Sequence, residues 1–411
     1  MKHWFLITGI FGFVTVAETL HAGDWPQILG PRRNGEASGE KLPDAWPAGG
    51  PPVVWRKELG EGYAGPAVSQ NRVYLFHRDG NHEVLEAFAA ADGQRLWSRS
   101  FEATYRGGVN TDKGPRCVPT VSGDRVVVFG AAGDLHCVAA ANGDAIWSRE
   151  LYADFKGDLG YFGAGSSPLV VDDLVVVNVG GKDAGVVAVA LKDGRTVWKS
   201  TKEGASYSSP IVIQDGGTKK IVCVTRLSAI LLAAKDGRQL GSLEFGRRGP
   251  TVNAATPLAI NEQLFLTASY GIGAKLIRWE KDQPKVVWEN DSSMSSQYST
   301  SVHRGGNLYG IHGREDMDAD LRCIEASTGK VRWSEADFGV AHLILAGERL
   351  LILKPNGTLI LAEATPEKYR ALSQSRIAPV ITRALPALAD GRLFVRTNVN
   401  ATGELLAIDV R

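Results

Sequence analysis

Tyr63, Arg116, Gly165, Tyr207, Ala254, Tyr298, Val340 and Arg383 stand at matching places in eight successive segments. Each lies three residues before the Pro, or its equivalent, that opens a strand-like run. Three Tyr and two Arg in eight such positions form a set able to bind. Tyr offers a flat face and a hydroxyl. Arg offers a planar cation that grips carboxylates and stacks on rings. Both types are enriched where binding energy concentrates. Neighbouring segments add Tyr105, Arg106, Tyr161, Arg247, Arg248 and Asn253. The chemistry this composition suits is recognition of an anionic or planar ligand, or of a protein partner. A ring of polar side chains can equally hold ordered water and bond to itself. The ligand-binding set read from the sequence is Tyr63, Arg116, Tyr207, Tyr298, Arg383, Arg247 and Asn253.

Other reactive types give no site. Cys117, Cys137, Cys223 and Cys323 fall among apolar strands, no two of them adjacent, and read as buried free thiols. No Cys-x-x-Cys-His haem attachment is present. His77, His82, His303 and His312 occur on hairpins without a third ligand and read as surface or structural histidines. Asp316, Asp318 and Asp320 alternate as in a calcium loop, but Leu321 stands where Gly is needed and Ser327 where the terminal Glu belongs. Gly163–Ser167 is not a nucleophile elbow, Gly329–Lys330 lacks the upstream Gly of a phosphate loop, and Gly271–Lys275 lacks the third Gly of a dinucleotide loop. No catalytic or metal residue is assigned.

The elements that must position these residues are set by six Trp. Trp55, Trp97, Trp147, Trp198, Trp288 and Trp333 recur at gaps of 42, 50, 51, 90 and 45 residues, the gap of 90 being two periods with Gly241 where a Trp is missing. A period of this length signals a repeat architecture. Within each period, β-branched and apolar runs alternate with Gly, Asp and Asn turns, giving four short strands: one propeller blade. Seven blades follow in order to about Ser373. Three further strands, Ala384–Leu388, Arg392–Thr397 and Glu404–Val410, lack a fourth. The spare strand Pro52–Leu59 supplies it and closes the ring. The expected fold is an all-β, eight-bladed propeller over residues 52–411 in which the six Trp are structural, packing across blade interfaces. The long segments Ser98–Pro115 and Ser148–Ser166 are expected to border the mouth that carries the Tyr/Arg ring.

The chain has 411 residues, 46 Lys plus Arg against 45 Asp plus Glu, and a net charge of +1. That balance gives no electrostatic reason to seek nucleic acid. Lys2 and His3, an apolar run from Trp4 to Val16 and Ala22 read as a signal peptide over 1–22, followed by an N-terminal extended arm over 23–51. Export to the periplasm or cell envelope is expected, with no transmembrane segment after cleavage and a monomeric product.

Segments such as Ala139–Trp147 and Ile324–Trp333 resemble the tryptophan-docking repeat of pyrroloquinoline-quinone (PQQ)-type propellers. Asp24-Trp-Pro-Gln with Gly30-Pro31 and Asn34-Gly35 resembles the opening of exported members. The resemblance covers residues 52–411 and implies one of two activities. The first is a non-catalytic scaffold of the BamB type. The alternative is a quinoprotein dehydrogenase acting on an alcohol or sugar, with PQQ and calcium over the mouth and Arg116 or Arg383 against the cofactor's carboxylates. The adjacent Cys pair usual in those dehydrogenases is missing here. A carbohydrate-binding propeller, stacking sugars on the Tyr ring, is the third reading. A scaffold with a protein partner or small ligand at the mouth, and no cofactor, is the expectation carried forward.

Overall fold

A computed structural model describes residues 23–379, 383–399 and 402–411. The expected signal peptide, residues 1–22, lies outside them. The described chain forms eight antiparallel sheets of four strands each. Seven are built from consecutive strands, as in Ala67–Ser69, Arg72–Asp79, His82–Ala89 and Arg95–Glu102. The eighth joins Ala387–Ala389, Arg392–Arg396 and Gly403–Asp409 to Val53–Leu59, so the two ends of the propeller share one sheet. In each blade the two middle strands are nearly continuous buried apolar runs, such as Arg125–Phe129. The outermost strand alternates, as in Arg95–Glu102. That is the pattern for strands buried on both faces and on one.

The six Trp share one geometry. Each sits on the outer strand beside a bulge, and its indole N–H donates to a turn carbonyl in the following blade. Trp55 donates to Ala90 at 3.0 Å, Trp97 to Ala140 at 3.1 Å and Trp147 to Leu191 at 2.9 Å. Trp198 reaches Ala234 at 3.1 Å, Trp288 reaches Ala326 at 2.9 Å and Trp333 reaches Thr365 at 2.9 Å. In five of the six the ring lies against a glycine of that turn; the turn at Thr365 has none, and there Trp333 meets Tyr369 with ring centres 5.9 Å apart. Gly143 has φ +74°, and a Cβ there would come within 2.5 Å of the Trp97 ring. The turn carbonyls take a second donor: Arg72 also reaches Ala140 at 2.8 Å and Arg125 reaches Leu191 at 2.9 Å.

Two blades lack the Trp. At Gly241 the space is taken by Trp279 of the next blade, whose ring would lie 2.7 Å from a Cβ there. In blade seven, Ser373 holds the Trp register position, opposite Leu361 beside the bulge. There the N-terminal arm substitutes. Trp46 donates its backbone N–H to Ser373 Oγ at 3.0 Å and its indole N–H to Val410 O at 3.3 Å. Val410 occupies in blade eight the place that Ala90 occupies in blade one, each following the third strand of its blade and donating to the turn before the second.

The rest of the arm fills the channel from the face opposite the ring of Tyr and Arg. Trp25 pairs with Val68 through two 2.8 Å hydrogen bonds, Pro26 O accepts from Val121, and Gly35 and Ala37 bracket Leu345. Arg33, 3% exposed, donates to Pro210 O at 2.8 Å and also to Pro168 O. Burial pulls its guanidinium down to about 9. A short helix, Leu151–Phe155, was not anticipated; it opens the second long loop. The first long loop begins only after Glu102, because the outer strand runs past Ser98. All four cysteines are buried and unpaired. Among the described residues no helix is long and apolar enough to cross a membrane.

Candidate functional site

The loops leading into the innermost strands converge on one cavity of about 270 Å³. Tyr63, Arg116, Gly165, Tyr207, Ala254, Tyr298 and Arg383 all line it. Of the eight ring positions, only Val340 does not; it is buried in a core cluster shared by blades six and seven. Ile28 of the arm, with Val118 and Leu385, gives the cavity an apolar floor, so the mouth is blind.

Each wall residue is held in place. The Arg116 guanidinium lies 5.7 Å from the ring centres of both Tyr63 and Tyr105, a cation–π pairing on two sides. It donates to Gly114 O at 2.6 Å and Asp112 O at 3.1 Å. Asn110 donates to the Tyr63 hydroxyl at 3.2 Å. The Tyr207 hydroxyl accepts the N–H groups of Tyr161 and Phe162, both at 3.0 Å, pinning the second long loop. Its own proton is left to donate. Arg383 pairs with Glu315 at 2.9 Å. His342 Nε2 bonds to Arg383 O at 2.8 Å and its ring lies 5.5 Å from Tyr298. Burial lowers His342 to about 4, so the imidazole is neutral near pH 7.

Two polar atoms here find no partner among the described residues: the Tyr298 hydroxyl and Arg383 Nε, both buried. An unmet buried donor is costly, so such atoms mark where an oxygen from a ligand or water is wanted. Burial raises the phenols of Tyr298 and Tyr207, keeping them as O–H donors rather than phenolates. The site therefore presents neutral hydroxyls, aromatic faces and the Arg116 cation. Glu315, already ion-paired, is the one carboxylate among the lining residues.

Two of the sequence-derived residues lie elsewhere. Asn253 is 1% exposed and holds the scaffold: its side chain donates to Thr225 O at 3.0 Å and Phe245 O at 3.1 Å. Its carbonyl accepts from the backbone of Tyr207 and Ser208, both at 3.0 Å, so it positions Tyr207. Arg247 lines a neighbouring depression with Arg248 and Tyr270. Asn110, Phe162, Gln297, Glu315, His342 and Ile28 line the cavity without having been singled out. Asn110 and Phe162 belong to the long loops, which was the available signal. His77, 6% exposed, bonds to buried Glu86 at 3.1 Å. Asp316 and Asp320 pair with Arg314 and Arg322 at 2.9 and 2.7 Å.

No curated protein sequence matches the chain. Solved structures do. The BamB structure from Moraxella catarrhalis is 15% identical, with TM-score 0.63, covering 86% of this chain and 97% of that one. The quinohemoprotein alcohol dehydrogenase ADHIIG from Pseudomonas putida HK5 is 13% identical, with TM-score 0.68, covering 95% and 80%. A europium-containing methanol dehydrogenase is 10% identical, with TM-score 0.69, covering 95% and 98%. At these identities the likeness is one of fold. Residues 81–335 match the family model described as outer membrane protein assembly factor BamB, which is more than half the sequence, and the chain belongs to this family of PQQ-like β-propellers.

Proposed function

We propose that this chain is an exported propeller scaffold, without catalysis of its own, that binds a protein partner or small ligand at the channel mouth. The observation that carries this is the convergence of seven ring positions on one blind cavity with an unmet Tyr298 hydroxyl. The family model's description, an outer-membrane assembly factor, supports an envelope or periplasmic location and a protein partner. The apolar run after Lys2 supports the location alone. The proposed division is a leader over 1–22, the arm over 23–51 and the propeller over 52–411, acting as a monomer.

The donor set favours this over the dehydrogenase reading. Calcium takes six to eight oxygens, including carboxylates. The single lining carboxylate is committed to Arg383, and no adjacent cysteines stand over the cavity. These residues do not fit a calcium-held PQQ, and no redox step is assigned to them. Titration with PQQ and calcium, followed by absorbance and thermal shift, tests this. No saturable response and no dye reduction with alcohols or sugars is expected. Saturable binding with dye reduction would overturn the scaffold reading.

A further inference from the structure

Beyond the mouth, two more depressions continue across the same face. One of about 370 Å³ shares Tyr207 and Val252 with the central cavity. The next, of about 630 Å³, shares Thr251 with the second. The second is lined mainly by the loops that follow blades two, three and four, and the third by loops of blades four, five and six. Six arginines and four carboxylates line them, an excess of two positive charges in a chain whose whole net charge is +1. Arg383 and Arg314 are ion-paired, to Glu315 and Asp316. For Arg116, Arg226, Arg247 and Arg248, the structure gives hydrogen bonds to oxygens of the backbone and of Thr251, or none, and no carboxylate within ion-pair distance among the described residues. Arg226 ties down the loop carrying Arg247 and Arg248 through Arg247 O at 3.3 Å and Thr251 Oγ1 at 2.7 Å.

We infer that the mouth is the inner end of a groove that takes an extended polypeptide segment bearing acidic side chains; this rests on the mouth being the binding face. A compact ligand would fill one depression and leave the other two, with the exposed Arg247 and Arg248, unused. An extended chain presents a side chain to the same face about every 7 Å, so one segment can reach adjoining depressions in turn, as the shared Tyr207, Val252 and Thr251 require. Carboxylates on that chain would add an anionic partner to each of the four arginines. The Tyr298 hydroxyl and the Tyr207 proton would meet backbone or side-chain oxygens at the inner end.

The test uses the full chain and a fluorescein-labelled peptide of alternating Glu and Ala, about twelve residues long. The Gln–Ala peptide and an oligogalacturonate serve as comparisons. Fluorescence polarisation is expected to give saturable binding of the Glu peptide that weakens with salt. Binding to the Gln peptide should be weaker by about tenfold or more. Arg247→Ala with Arg248→Ala, both exposed, should cost about tenfold with an unchanged melting curve, and Arg116→Ala should cost a similar factor. Absence of peptide binding overturns the inference, as does oligogalacturonate binding in its place. Loss on Arg116→Ala but not on the double change would confine binding to the mouth, removing the groove and leaving the proposed function standing. Loss on the double change alone would detach the groove from the mouth and overturn both.

Discussion

Tyr298 concentrates the argument for a ligand in one atom. Its hydroxyl is buried and has no partner among the described residues. Removing an unmet group relieves a penalty rather than breaking a bond. Tyr298→Phe is therefore expected to leave urea stability unchanged or raised by about 1 kcal/mol, while weakening whatever binds the mouth. Denaturation and binding curves on the same variant check this. If Tyr298→Phe lowers stability and leaves binding intact, the hydroxyl is structural. His342 adds a pH dependence. Its pKa in the fold, about 4, lies below its ordinary value of 6.5. The unfolded chain takes up the proton first, so this residue's share of stability is present above about pH 6.5 and is lost as pH falls toward 4. Wild type should lose up to about 3 kcal/mol against His342→Gln across that window, measured by urea melts at stepped pH.

At the scale of elements, the arm completes blade seven. Trp46 is 7% exposed and bonds across to blade eight as the other Trp bond across their interfaces. Trp46→Ala is expected to cost about 3 kcal/mol, comparable to Trp55→Ala, although Trp46 lies outside the repeat. Hydrogen exchange should then rise first in Ala371–Arg376, the strand it covers. The repeat itself was legible because blades reuse one spacing of turn and Trp; the bulge beside each Trp was not. The closing strand was legible because Val53–Leu59 had no preceding partners. Trp46 was not, since its place depends on a vacancy at Ser373, about 330 residues away, that no local pattern reveals. The turn carbonyls' second donors, Arg72 and Arg125, were hidden for a similar reason: at the start of a strand they read as solvated charge.

Across the whole molecule, the ring gathers distant residues onto one face and the arm closes the opposite one. Seven of the eight ring residues, each counted back from an innermost strand, line the one cavity, because the blades repeat in three dimensions as they do in sequence. Arg247 and Asn253 were chosen by nearness in sequence, and the loops carried them to a neighbouring depression and into the scaffold. Ile28 reached the floor by way of the arm's turns, which repeat nothing. Site-specific photocrosslinking tests the resulting two-faced molecule most directly. A benzoyl-phenylalanine replaces Phe162 in the cavity or, separately, the exposed Arg32 on the arm side. After irradiation in cells, a defined adduct is expected from position 162 and none from position 32. An adduct from position 32 with none from position 162 would contradict the mouth as the binding face.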